Sequence, residues 1–233
     1  MGNGLMLTCP FGTRTTIGGM NNLTRQNADR FNAIAAEWDE DPRRAAMAAA
    51  VAEAMLTALA PTGDESVFEF GCGTGLVTLA LAPHVGHILA MDSARRMLDT
   101  LRHKRERLGV DNIETTVGDL PDHPPNGTFS LVASSMTLHH IGNTPSLLRT
   151  LFGLLQPGGR IALADLDRED GSFHGDTPGV AHHGFDRDEL AGWIAAAGFT
   201  DVRFSTAHRM EKTAEDGTIH RFRIFLVCAQ RPR

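Results

Sequence analysis

Glu69 stands two residues before Gly71-Cys72-Gly73-Thr74-Gly75, and two aspartates, Asp92 and Asp119, close the next apolar runs. A glycine-rich turn between a strand and a helix lets a ligand approach the backbone, and the helix N-terminus adds free N–H groups. Glycines at every second position depart from the G-x-G-x-x-G spacing of dinucleotide sites. A carboxylate at Glu69 repels an anion and attracts an ammonium or sulfonium group. Asp92 is placed to accept ribose hydroxyls, and Asp119 to reach an adenine amino group. Taken singly, Asp92 reads as a cap for the helix opening at Ser93, and Asp119 as the start of a loop. Three successive strand ends that each carry an acid are poorly explained that way.

Histidines form the second constellation. His139 and His140 follow the run "FSLVASS", and His174, His182 and His183 lie in "EDGSFHGDTPGVAHHGFDRDEL". Imidazole titrates near neutrality and suits the removal of a proton from an attacking group. Neighbouring side chains on a strand diverge, so the doublet is expected to split its work, one ring toward a substrate chamber and the other packed. Five histidines from two loops could hold a metal, but their spacing matches no standard zinc pattern, and none is expected. His183 reads equally as a substrate contact or as a cap on the approach to Asp186.

The elements that must position these groups alternate along the chain. Two helices come first, over "TRQNADRFNAIAAEW" and "DPRRAAMAAAVAEAMLTALAP", the second capped by Asp41, with Pro42 in its first turn and Pro61 as its stop. Strands are predicted at 66–70, 87–92, 112–119, 129–135 and 160–166, separated by helical segments. The helix over "TPSLLRTLFGLLQPGG" is predicted to end at Pro157 and Gly158, and a last helix covers "DRDELAGWIAAAG". "FTDVRFSTAHRM" and "TIHRFRIFLVCAQ" read as two strands joined at "AEDG". This pattern predicts an α/β, Rossmann-like three-layer sandwich: a seven-stranded, mostly parallel sheet with one antiparallel strand.

The stretches "VFEFGCGTG", "AMDSARRML", "VGDLPD", "FSLVASSMTLHHI" and "LLQPGGRIALADLD" resemble the successive motifs of class I S-adenosylmethionine-dependent methyltransferases. The likeness is to the small-molecule branch that includes the ubiquinone/menaquinone-biosynthesis type, and it runs from about residue 24 to 230. It implies S-adenosyl-L-methionine as cofactor. Glu69 and the backbone of Gly71, Cys72, Gly73 and Gly75 would hold the methionine portion, Asp92 with Ser93 the ribose, and Asp119 with Leu120 the adenine edge. Ser134 and Ser135 would flank the cofactor at the fourth strand. Met97 would pack on the adenine, a position that core packing explains equally. Trp38, in "FNAIAAEWDED", is a lid candidate on the substrate side, or simply the anchor of a helix end. The resemblance favours His139 as catalytic base on the substrate side and leaves His140 packed. His174 and His183 fall in a segment, 166–185, that resembles the family's substrate-determining insertion.

The activity implied is methyl transfer to a small-molecule acceptor by in-line displacement. A catalytically silent cofactor-binding module is the alternative, and a nicotinamide-dependent oxidoreductase a weaker one, disfavoured by the glycine spacing and Glu69. Ser134-Ser135-Met136-Thr137 stands where nucleic-acid amino methyltransferases resemble Asn/Asp-Pro-Pro-Tyr, and the acids of magnesium-dependent catechol-type enzymes are missing there. Arsenite methylation would need convergent cysteines, whereas Cys9, Cys72 and Cys228 lie far apart.

Composition agrees with that class. The 233 residues carry a net charge of −6, which argues against a broad grip on nucleic-acid phosphates. Arg95, Arg96, Arg102, Lys104, Arg105 and Arg107 share a helix with Asp99 and Glu106 and read as a solvated face. Three cysteines without CxxC spacing fit a reducing cytoplasm, and no apolar run reaches the roughly 18 residues of a membrane span. Residues 1–20 show no secretory pattern and are expected to form a flexible tail before a domain over 21–233, whose first part, 21–60, is a helical lid. A monomer or homodimer is expected.

Overall fold

A computed structural model describes residues 22–120, 122–214 and 216–233. The expected tail, 1–20, lies outside the described residues. Six helices are present among them: α1 (Asn22–Ile34), α2 (Pro42–Leu59), α3 (Leu76–Leu81), α4 (Arg95–Leu108), α5 (Thr144–Leu154) and α6 (Arg187–Ala196). The strands are β1 (Ser66–Phe70), β2 (His87–Asp92), β3 (Ile113–Val117), β4 (Phe129–Ser135), β5 (Leu155–Leu166), β6 (Thr200–Thr213) and β7 (Ile219–Gln230). They form one sheet in the order β3-β2-β1-β4-β5-β7-β6. β7 runs antiparallel to both of its neighbours, while the pairs from β3 across to β5 are parallel.

Strand residues alternate between two cores, as a sheet buried on both faces requires. Val67, Ile88 and Leu131 pack with Val51 and Met55 of α2, Val77 of α3 and Leu98 of α4. Phe68, Leu89 and Val132 point the other way, against Leu147 and Leu151 of α5 and Leu190 and Ile194 of α6. This is the three-layer sandwich expected from the alternation.

Local chemistry sets most element ends. The Asp41 carboxylate accepts from the Arg43 amide with Pro42 in the first turn of α2, and Asp186 accepts from the amides of Asp188 and Glu189 at the start of α6. One boundary departs from expectation. α5 stops at Leu154 rather than at Pro157 and Gly158, because Leu155 pairs with Phe129 of β4 and enters the sheet. Gly158, at φ 80°, instead turns within β5, where its amide donates to the Arg231 carbonyl.

Candidate active site

The carboxyl ends of β1 to β4 open into a cavity of about 660 Å³. Its floor begins at the glycine loop. Gly71 has φ 64°, and a Cβ there would lie 2.1 Å from Thr137 Oγ1, so only glycine lets these two segments close. Around Gly73, whose amide donates to Asp92, nothing lies within 4 Å of a built Cβ, so its Cα faces open space in the cavity lining. Gly75 instead caps α3 and packs against Leu101, outside the cavity lining.

Three acids face this floor. Glu69 is 2% exposed, its Oε2 has no hydrogen-bond partner, and burial pushes its carboxyl up to about 7. Asp92 accepts from the amides of Gly73 and Ala94, both at 2.8 Å, and so ties the glycine loop to the end of β2. Its burial raises its pKa against those bonds. Asp119 Oδ1 bonds His123 Nδ1 at 2.6 Å, while its buried Oδ2 is unpartnered. Cys72, Ser93, Met97, Leu120 and Ser135 also line the cavity. Ser134 does not: it is fully buried, and its hydroxyl donates to the Phe70 carbonyl inside the sheet. β-strand alternation accounts for the split, since only one of two adjacent serines at a strand end can face the chamber.

His139 and His140 sit in a 3₁₀ turn, Leu138–His140, rather than on the strand. Met136, at φ 54°, reverses the chain there. The two rings therefore stay close, with centroids 4.1 Å apart, and both border the cavity. Their hydrogen bonds differ. His139 is 1% exposed, its Nδ1 is 2.7 Å from the fully buried Asp165 Oδ1, and its Nε2 has no partner. Burial opposes the ionisation of Asp165, yet the His139 side chain beside it and the hydrogen bonds it accepts hold its carboxyl below the usual range. His140 Nδ1 lies 2.8 Å from the Gly179 carbonyl, and burial with the nearby His139 lowers it to about 3.

The loop between the Asp167↔Phe185 bridge and its tip adds the third ring. His174 packs 4.7 Å from His139 and, buried beside His139 and Lys212, is lowered to about 3. His182 and His183 turn elsewhere: His182 Nε2 lies 3.0 Å from the Ile141 carbonyl, and His183 is 57% exposed beside Glu169. His183 is thus outside the cavity lining, which corrects its expected place at the substrate, and its ring does not cap α6, whose cap is Asp186.

α1 and the turn after it roof the site. Trp38 packs edge-on to Phe31 at 5.5 Å and beneath the Arg44 guanidinium at 3.9 Å, bordering the cavity. Asp39 fixes this turn by accepting from Thr74 Oγ1 at 2.6 Å and pairing with Lys104 Nζ at 2.7 Å. Asn27 Nδ2 donates to the Gly179 carbonyl at 2.9 Å, so α1 and the histidine loop meet.

Sequence reasoning missed several of these groups. Asp165 carried a usable signal, an acid inside the apolar run "RIALADL" at the carboxyl end of β5. Arg30, Lys212, Thr137 and the Asp39 network carried none, because distant segments bring them to the site.

Strand order, with β7 inserted antiparallel between β5 and β6, and a cavity at the carboxyl ends together define a Rossmann-like α/β fold of the methyltransferase kind. Residues 67–159 match the methyltransferase domain family. An uncharacterised methyltransferase of Schizosaccharomyces pombe is 32% identical over 134 residues, covering 51% of this chain and 47% of its own. The chain thus spans about half the length of that relative. A ubiquinone biosynthesis O-methyltransferase of Xanthomonas euvesicatoria is 29% identical over 197 residues, 76% of this chain and 82% of that protein. The solved complex of DhpI with SAH superposes with a TM-score of 0.70 at 20% identity, over 92% of this chain and 100% of that one. The family match, the relatives and the fold together support a class I S-adenosylmethionine-dependent methyltransferase.

Proposed function

We propose that this chain transfers a methyl group from S-adenosylmethionine to a small-molecule acceptor, with His139 as general base. The observation that carries the reading is that, among the described residues, Glu69 Oε2, Asp119 Oδ2 and His139 Nε2 are buried polar atoms left without partners around one cavity, as are Asn27 Oδ1, Arg30 Nε and His174 Nε2 on its α1 and histidine side. Buried polar groups are almost always paired, so orphans converging on a cavity mark where a ligand completes them. They fit the cofactor in kind. Glu69 would take the ammonium, with the unobstructed Cα face of Gly73 beside it. Asp92 would take the ribose hydroxyls, Asp119 the adenine amino group, and Met97 with Leu120 the apolar faces of the base.

When bound, the cofactor supplies a sulfonium-activated methyl group open to in-line displacement by an acceptor nucleophile. What the protein adds is alignment, exclusion of water and removal of a proton. The relative named as an O-methyltransferase supports an oxygen nucleophile, and an O–H must lose its proton to attack. His139 Nε2 would take that proton. Asp165, bonded to Nδ1, would hold the ring in the tautomer that leaves Nε2 free and would stabilise the imidazolium that forms. Trp38 and α1 are proposed as the lid, with 21–60 closing over the floor, and His174 in the 166–185 segment as a contact of the acceptor.

Three cysteines without a CxxC pair support a reducing, cytoplasmic setting. No helix among the described residues is long and apolar enough to cross a membrane. The acidic net charge supports a small acceptor over nucleic acid.

A panel of phenols, quinols, thiols and amines, read by S-adenosylhomocysteine release, tests the activity. Turnover with at least one acceptor is expected. Normal cofactor affinity without turnover across the panel would favour a silent binding module, and absence of cofactor binding would remove the reading. Asp92→Ala is expected to weaken S-adenosylhomocysteine binding by about 1.5 to 3 kcal/mol, since a buried acceptor is lost.

A further inference from the structure

Two cations border the cavity without a salt-bridge partner among the described residues. Arg30 on α1 is half-buried; its Nη1 reaches only the Pro178 carbonyl, at 3.4 Å, and its Nε is buried without a partner. Lys212, at the end of β6, donates to the Phe173 carbonyl at 2.7 Å and lies 3.8 Å over the Phe173 ring. Neither takes part in an ion pair among the described residues, whereas Arg43 pairs with Asp41 and Arg44 lies 4.0 Å from the same carboxylate. Burial, reinforced by a neighbouring arginine, lowers the pKa of both Arg30 and Lys212, although Asp41 and Glu169 partly offset this at Lys212 from beyond ion-pair distance. Their carbonyl partners, Phe173 and Pro178, flank His174 in one loop, which places both cations on the side of the cavity that holds the histidine rings.

The charges in this cavity are therefore divided. Glu69, Asp92 and Asp119 line the floor at β1, β2 and β3, and the unmatched positive groups stand toward α1 and β6. His140 and His174, each held at about 3, are uncharged at neutral pH, so Arg30 and Lys212 are the cations beside the histidine rings, while Arg43 and Arg44 share the Asp41 carboxylate elsewhere in the lining. A half-buried charge whose contacts are carbonyls and an aromatic face is incompletely compensated, and an anion between two such groups gains charge-assisted hydrogen bonds from both.

We propose that the methyl acceptor carries an anionic group, a carboxylate or a phosphate, held between Arg30 and Lys212 beside the His139 end of the cavity. This rests on the methyltransferase reading and narrows its acceptor to small acids. The anion sets the acceptor's register, which leaves its nucleophile to reach His139. Arg30 offers a planar, two-pronged donor set and Lys212 a point charge, a combination suited to either oxyanion.

Calorimetric titration of the S-adenosylhomocysteine-loaded chain with phenyl phosphate, benzoate and benzamide tests this. At least one anion is expected to bind about tenfold or more tightly than benzamide, and the ratio of the two anions tells phosphate from carboxylate. Arg30→Gln and Lys212→Gln should each weaken that anion by about three- to tenfold, Lys212→Arg should retain it, and S-adenosylhomocysteine affinity should change by less than about twofold. Equal binding of benzamide, or no binding of either anion, overturns the proposal. So does a loss of about tenfold in S-adenosylhomocysteine affinity in the double variant, which would assign the cations to the cofactor's own carboxylate. If the wild-type chain binds no S-adenosylhomocysteine, the methyltransferase reading falls, and the same comparison of anion with amide on the free chain judges the charge site by itself.

Discussion

Glu69 sits among apolar strand residues with one oxygen unpartnered, and its carboxyl, ordinarily near 4.5, stands at about 7. Between those two values the folded chain holds a proton that the unfolded chain has released. Its contribution to stability is therefore complete below pH 4.5 and lost as pH rises through about 7. Binding of a cationic ligand should run the other way, since an ammonium prefers the ionised form. S-adenosylhomocysteine is thus expected to bind more tightly at pH 8 than at pH 6, and Glu69→Gln should flatten that dependence, as calorimetry at the two pH values would show. The same logic separates His139 from its support. His139→Ala should lower kcat by about 10²- to 10⁴-fold with little change in cofactor affinity. Asp165→Asn keeps the shape and removes the charge that favours the imidazolium. Its kcat should then fall by about 10²- to 10⁴-fold with the acceptor KM little changed, because the support acts on the imidazolium formed in the step. A purely structural Asp165 would not split kcat from KM in this way.

At the scale of elements, the roof is assembled by contacts between segments far apart in the chain. Gly179, at φ 92°, receives Asn27 so closely that a Cβ there would lie 1.9 Å from Asn27 Oδ1. The Gly179 carbonyl also meets His140 Nδ1 at 2.8 Å, so one residue joins α1, the histidine turn and the loop that carries His174. Gly179→Ala combines backbone strain with this collision. It is expected to cost about 1 to 3 kcal/mol in thermal or denaturant unfolding. Asn27→Ala relieves the collision, so adding it to Gly179→Ala should recover part of that loss; strict additivity of the two effects would show that the segments are uncoupled.

For the whole molecule, rigidity is unevenly shared. The sheet is buried between two hydrophobic layers, whereas α1 has only Asn27 and Ala28 buried and packs through Phe31 and Ile34, with Trp38 of the turn after it, against Ala94 and Met97. Elements with few buried contacts open most readily. Hydrogen exchange in residues 22–40 is expected to be fast in the free chain and to slow by about tenfold or more with S-adenosylhomocysteine bound, while β1 and β4 change little. Equal protection with and without ligand would argue against a lid.

Much of this architecture was legible before folding was considered, because it rests on local periodicity and turn chemistry. β1, β2 and β4 begin and end where their apolar runs do, and the Asp41-Pro42 pair starts α2 as its capping chemistry requires. The three acids were legible for the same reason: each lies at or near the carboxyl end of a strand, and parallel strands bring those ends to one side. Other features needed the third dimension. Which of Ser134 and Ser135 faces the cavity depends on the pleat of β4. The end of α5 depends on a strand partner, Phe129, that is 26 residues away. Sequence alone determined the order of the elements and the floor of the site, since both follow from interactions within a few residues. Tertiary structure alone decided that Asp165 backs His139, that His183 points away, and that Arg30 and Lys212 share one cavity, because such pairings are set by how the layers pack, which no short stretch of the chain encodes.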